Sequence, residues 1–119
     1  DDRKVMMREN EIVQAGDSDI ELIESYLLNS QILSESKMLA RQLNRTLMTD
    51  LNGSVGSRGV RKADFRVLRN SLMPAVLVEI GYISNAGELA VVQTDQFKKR
   101  FAVSISNGIK NFLKNRPGM

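Results

Sequence analysis

The sequence predicts an α/β fold, part of a mixed, mainly parallel sheet flanked by helices. Three observations carry that expectation. A stretch free of Gly and Pro between Gly16 and Gly53 repeats apolar residues mostly three to five apart. A continuous apolar run, Ala75-Val76-Leu77-Val78, follows Pro74. A second helical stripe, Phe97, Phe101, Ile105, Ile109 and Phe112, follows that run. Helices before and after an all-apolar strand are the pattern of a strand buried on both faces.

The elements follow in order. Val5-Met6-Met7 and Ile12-Val13 are short apolar islands in a polar start, and predict a short helix over 3–14 ended by Gly16. Ser18 and Glu21 have capping-box spacing and open a long helix over 20–50. Its stripe comprises Ile20, Ile23, Leu27, Ile32, Leu39, Leu43 and Leu47, interrupted at Ser34-Glu35-Ser36. Residues 52–63 are rich in Gly, Ser and Asn and predict a loop. Residues 65–69 read as a short strand, and Asn70-Ser71 as a turn.

Residues 75–78 predict an interior parallel strand, because Pro is tolerated at a strand's first position. Asn85 with Glu88 predicts an N-cap for a short helix, Ala86–Val92. Thr94-Asp95 opens a last helix over 94–115, with Lys110, Lys114 and Arg116 near its C-terminus and Pro117-Gly118 beyond it. Both long helices are expected to pack on the sheet. Two strands do not make a stable sheet of this kind, so the 119 residues read as an incomplete portion of one domain.

Composition narrows the chemistry. A net charge of +3, from 17 Lys+Arg against 14 Asp+Glu, is too mild to argue for nucleic acid. Aromatic residues are 5% with no Trp, which argues against a base-stacking platform. No apolar run is long enough for a transmembrane helix. The start, Asp1-Asp2-Arg3-Lys4, is not a secretory signal. Cys is absent, excluding disulfides and thiolate chemistry, and His is absent, removing the commonest metal ligand and general base.

Glu79 is the candidate catalytic residue. It ends the apolar run, at the strand edge where ligands of open α/β sheets bind, and a carboxylate there suits a general base. On position alone a structural role, capping a helix or pairing with an arginine, is the commoner outcome. Arg58, Arg61, Lys62, Arg66 and Arg69 form a basic cluster. A solvated face accounts for Arg61 and Lys62, whereas Arg58 is the candidate for holding a substrate carboxylate.

The stretch Arg58-Gly59-Val60-Arg61-Lys62-Ala63-Asp64-Phe65-Arg66-Val67-Leu68-Arg69, followed by Met73-Pro74-Ala75-Val76-Leu77-Val78-Glu79-Ile80-Gly81-Tyr82-Ile83-Ser84-Asn85, resembles the zinc-dependent N-acetylmuramoyl-L-alanine amidases (amidase type 3). The match has no gap over 58–85, and Arg8-Glu9-Asn10 resembles a triplet that follows the family's last zinc ligand. The resemblance implies a zinc-hydrolase, phosphorylase/hydrolase-like fold, with 1–119 the C-terminal portion of one catalytic domain. It implies cleavage of the amide between N-acetylmuramic acid and L-alanine of the peptidoglycan stem peptide. Zinc would be held by two histidines and a carboxylate, with Glu79 as general base and acid.

Zinc is then the implied cofactor, yet its ligands are absent from this chain, which is expected to be inactive alone. Peptidoglycan is the implied partner, in an extracytoplasmic setting such as the periplasm or cell wall. Cell-division members carry a helical segment that occludes the zinc until an activator protein displaces it. Glu9, Glu11, Asp17, Asp19, Glu21 and Glu24 form an acidic stretch and residues 11–36 occupy that place, although a plain surface helix with carboxylates near its N-terminus explains them at least as well. Ala86 stands where the family often has Pro. The alternative function is a non-catalytic wall-binding or regulatory module of the same fold.

Overall fold

A computed structural model describes residues 3–5, 19–69 and 71–116, with the backbone alone for 19–27 and 29. Residues 3–5 are helical. The rest of the helix expected over 3–14, the Ser18 cap, Asn70 and Pro117-Gly118 lie outside the described residues. Three longer helices follow: α1 (Asp19–Asp50), α2 (Ala86–Val92) and α3 (Asp95–Asn115). The chain divides into two compact units, Asp1–Lys37 with Arg61–Leu77, and Met38–Val60 with Val78–Met119.

The expected sheet does not form among the described residues. Among the described residues no strand forms, and the architecture is helical. Both expected strands fail, for different reasons. In the first unit, Arg66–Leu68 is a single 3₁₀ turn, with Leu68 N–H bonded to the Phe65 carbonyl at 3.1 Å and Arg69 N–H to the Arg66 carbonyl at 3.0 Å. A bidentate ion pair closes it, Arg69 Nε donating to Asp64 Oδ1 at 2.8 Å and Nη2 to Oδ2. In a strand, residues an odd number apart point to opposite faces and five residues span roughly 17 Å. The pair therefore forbids a strand over 65–69.

The run 75–78 stays extended and enters no ladder among the described residues. The N–H of Ala75 donates to Ser36 Oγ at 2.9 Å rather than to a strand. Val76 is half-buried, while Leu77 and Val78 are exposed. An interior strand needs a neighbour on each side to satisfy its backbone groups. None of the described residues supplies one, so the run is not the doubly buried strand that its composition predicts.

The second unit holds the core. Leu43, Leu47 and Leu51 are spaced four apart and buried, and so are Phe97 and Phe112 of α3. Met48, Val55, Val91, Val92, Phe101 and Ile105 pack partly buried around Leu47, Leu51 and Phe97. The rings of Phe97 and Phe101 stack with centroids 5.8 Å apart. The two long helices thus pack on each other here, not on a sheet. A Cβ on buried Gly108 would come 2.7 Å from Leu43 Cδ2, so this glycine permits the close approach. Gly108 takes the inward position of α3, and Ile109, one residue further round, is 41% exposed although it belongs to the expected stripe.

The helix ends are closed by named groups. After α1 the chain turns through Gly53 at φ 83, and Arg100 Nη2 donates to the Asp50 carbonyl at 2.7 Å. Thr94 Oγ1 accepts from Phe97 N–H at 3.2 Å and donates to the Val91 carbonyl at 2.8 Å, joining α2 to α3. Replacing Leu51, 1% exposed, with Ala is expected to cost about 2–5 kcal/mol. Replacing Val103, 60% exposed, should stay within about 0.5 kcal/mol. Urea unfolding of the two variants measures the difference, and equal midpoints would contradict this core.

Candidate active site

Glu79 lies in the extended segment of the second unit, with its side chain exposed. Among the described residues no sheet forms, so none of them gives it a strand-edge crevice. Three residues on, the chain makes a turn that is held from several directions. The N–H of Asn85 donates to the Tyr82 carbonyl at 3.0 Å, and the N–H of Glu88 donates to Asn85 Oδ1 at 3.1 Å. The expected N-cap of α2 therefore forms.

The Glu88 carboxylate does more than that cap requires. Its Oε2 accepts the N–H of Tyr82 at 2.7 Å, and its Oε1 accepts Arg58 Nη2 in an ion pair. The Arg58 guanidinium also lies over the Tyr82 ring, 4.9 Å from its centroid, in a cation–π contact. Arg58, Tyr82 and Glu88 close a triangle linking the glycine-rich loop, the segment after Glu79 and the first turn of α2. Gly81, at φ 152, lies against the same carboxylate, and a Cβ there would be 3.3 Å from Glu88 Oε2.

Of the two site residues expected from sequence, the structure joins Arg58 to the turn that follows Glu79 by three residues. No hydrogen bond or ion pair reaches Glu79 from the described residues. Sequence reasoning assigned Glu88 only to the helix cap and did not single out Tyr82. The charge complementarity of Arg58 and Glu88, thirty positions apart, is visible only once the chain is folded. A separate open groove of about 720 Å³ is lined by Arg41, Asn44, Arg45, Met48, Thr49, Asn52 and Val60, and neither Glu79 nor Arg58 borders it.

With this geometry in hand, relatives define the lineage. The sequence profile of N-acetylmuramoyl-L-alanine amidase matches residues 14–111. The chain belongs to this amidase family. It is 32% identical over 91 residues to the N-acetylmuramoyl-L-alanine amidase LytC of Bacillus subtilis, covering 76% of this chain and 18% of LytC. It is 30% identical over 89 residues to the uncharacterized protein YqiI of Bacillus subtilis, covering 75% of this chain and 42% of YqiI. The probable cell wall amidase LytH of Staphylococcus aureus is 31% identical over 77 residues, 65% of this chain and 26% of LytH. The chain thus spans less than half the length of these relatives. No solved structure matches it.

The amidase family implies zinc, and the residues can be tested against it. The sequence has no His, and no three His, Cys, Asp or Glu side chains converge among the described residues. They do not fit a ligand set of two histidines and a carboxylate. The charged groups that the structure does bring together form ion pairs, Arg58 with Glu88 and Arg69 with Asp64. No described helix is long and apolar enough to cross a membrane.

Hydrogen bonding lowers two carboxyl groups. The Tyr82 N–H, with Arg58 adding to it, holds Glu88 below its ordinary 4.5. The hydrogen bond from Arg69 likewise lowers Asp64. A carboxylate lowered by folding stabilises the folded state above its unfolded pKa, and that contribution is lost as pH falls through the folded value. The Tyr82 amide proton, followed by NMR from about pH 6 to about pH 2, should titrate with a midpoint below that ordinary value of 4.5. Glu88→Gln should abolish that titration. A midpoint at or above the ordinary value would contradict the Tyr82–Glu88 bond.

Proposed function

We propose that this chain is the C-terminal portion of the catalytic domain of a peptidoglycan hydrolase. Its reaction is cleavage of the amide between N-acetylmuramic acid and the L-alanine of the stem peptide. The observation that carries this reading is the family match over 14–111, which contains the whole gap-free motif of 58–85. The relatives named as amidases, LytH among them as a probable cell wall amidase, support an extracytoplasmic setting, periplasm or wall, with peptidoglycan as the partner.

In this reading Glu79 is the proton-transfer group. Its exposed carboxylate takes a proton from the attacking water as the oxygen adds to the lactyl carbonyl carbon. It returns that proton to the alanine nitrogen as the C–N bond breaks, leaving a lactyl carboxylic acid and a free amine. Arg58 is the proposed anchor for a stem-peptide carboxylate, since its guanidinium can offer a planar pair of donors. The family implies zinc, and this chain, which has no His, does not supply a ligand set of two histidines and a carboxylate. The segment 11–36 is proposed as a regulatory element answering to an activator protein, as in cell-division members. Its residues 19–36 lie in α1 and 11–18 lie outside the described residues.

In the complete enzyme, Glu79→Gln should keep its fold and metal yet lose about 10²–10⁴-fold in turnover. Release of stem peptides from purified wall, measured beside elemental analysis for zinc, provides the test. Near-normal turnover in a loaded variant would remove Glu79 from this role. A parent protein that binds wall but releases nothing would select the non-catalytic wall-binding module. Deleting 11–36 should raise basal wall hydrolysis, and unchanged activity in a folded deletion would count against the regulatory assignment.

A further inference from the structure

We infer that Glu88 is a positioning residue for this site, because its two carboxylate oxygens tie Arg58 and the Tyr82 backbone together and so fix the turn that follows Glu79. The inference rests on the proposed role of Glu79. A plain capping role for Glu88 does not account for the geometry. In a capping box the third-residue carboxylate reaches back to the N–H of the cap residue. Here that N–H, on Asn85, is already bonded to the Tyr82 carbonyl at 3.0 Å, and Asn85 Oδ1 already serves the N–H of Glu88. The helix start is closed without the carboxylate.

The carboxylate reaches past the cap instead. Oε2 takes the Tyr82 N–H at 2.7 Å and Oε1 takes Arg58. Arg58 in turn lies over the Tyr82 ring, so the ring and the backbone of one residue are gripped by one ion pair. Only Ile80 and Gly81 separate Tyr82 from Glu79. Gly81 leaves room for the carboxylate, since any larger residue would bring a Cβ within 3.3 Å of Oε2 at a φ that L side chains rarely adopt. A carboxylate acting on an amide must be held in place, because a displacement of about 1 Å can cost on the order of 10²-fold in rate. Glu79 has no hydrogen bond of its own among the described residues to hold it, and the anchored turn supplies the constraint through the backbone.

The test is a double-mutant cycle in the complete enzyme with Glu88→Ala, Glu79→Gln and the pair, plus Glu88→Gln. The readouts are kcat, KM, thermal midpoint and hydrogen exchange of the peptide containing Tyr82. Glu88→Ala should fold, speed exchange at Tyr82, and lose about 10–100-fold in kcat. Added to Glu79→Gln it should cost nothing further, because the two act as one unit. Glu88→Gln still accepts the Tyr82 N–H, so it should restore exchange protection and part of the turnover. It also carries the comparison if Glu88→Ala fails to fold.

A folded Glu88→Ala enzyme with kcat within about twofold of the parent overturns the inference, as does an equal loss in both backgrounds. Near-normal turnover of Glu79→Gln overturns the reading of Glu79 and this inference with it. That outcome is distinct from failure of Glu88 alone, in which Glu79→Gln is inactive and Glu88→Ala is not.

Discussion

The contact between α1 and α3 at Leu43 and Gly108 organises the second unit. A single missing Cβ lets a buried leucine of one helix sit against the backbone of the other, and the aromatic and aliphatic side chains on either side close around that point. Because α3 is fixed there, its N-terminal cap at Thr94 is fixed, and through the Thr94–Val91 bond so is the end of α2. The start of α2 carries Glu88, and Glu88 carries Arg58 and Tyr82. A chain of short-range constraints therefore runs from a helix crossing to the turn beside Glu79. One buried atom on this path is unsatisfied: Ser104 Oγ, 1% exposed, has no hydrogen-bond partner among the described residues. A small side chain at that position favours close packing at the cost of a lost hydrogen bond.

Helices were legible in the sequence because their signals are local. The spacing of Leu43 and Leu47, the Asn85 and Thr94 caps, and the Gly-Pro punctuation all act within a turn or two. They fall at or within a residue of the observed Asp19–Asp50, Ala86–Val92 and Asp95–Asn115. The strands were misread because strand composition is a statement about neighbours. Ala75-Val76-Leu77-Val78 has the right side chains, and nothing in its own order reveals whether another strand lies alongside. Residues 65–69 were misread because the chain closes there into a 3₁₀ turn spanned by the Asp64–Arg69 ion pair, a contact that only the folded chain shows.

The site was legible in part, along the same division. A family motif marked Glu79 and Arg58, and the family match over residues 14–111 assigns the family without reference to any sheet. The partnership of Arg58 with Glu88 was hidden because it joins the glycine-rich loop to the first turn of α2 across thirty positions, and because Glu88 already had an adequate local explanation as a capping residue. Motif matching finds groups that resemble reacting groups elsewhere. It does not find the groups that hold them still.

The extended segment after Pro74 also bears on how this chain behaves in a concentrated solution. Ile83 is more than four-fifths exposed, and Val78 and Ile80 before it are exposed along backbone that enters no ladder among the described residues. Extended backbone beside a row of aliphatic side chains is a template on which a like segment of another molecule can add. Glu79, the one charge in that row, then serves as a gatekeeper as well, because stacking like carboxylates in register is repulsive. Neutralising it removes a barrier to self-association at the same time as it removes a proton acceptor.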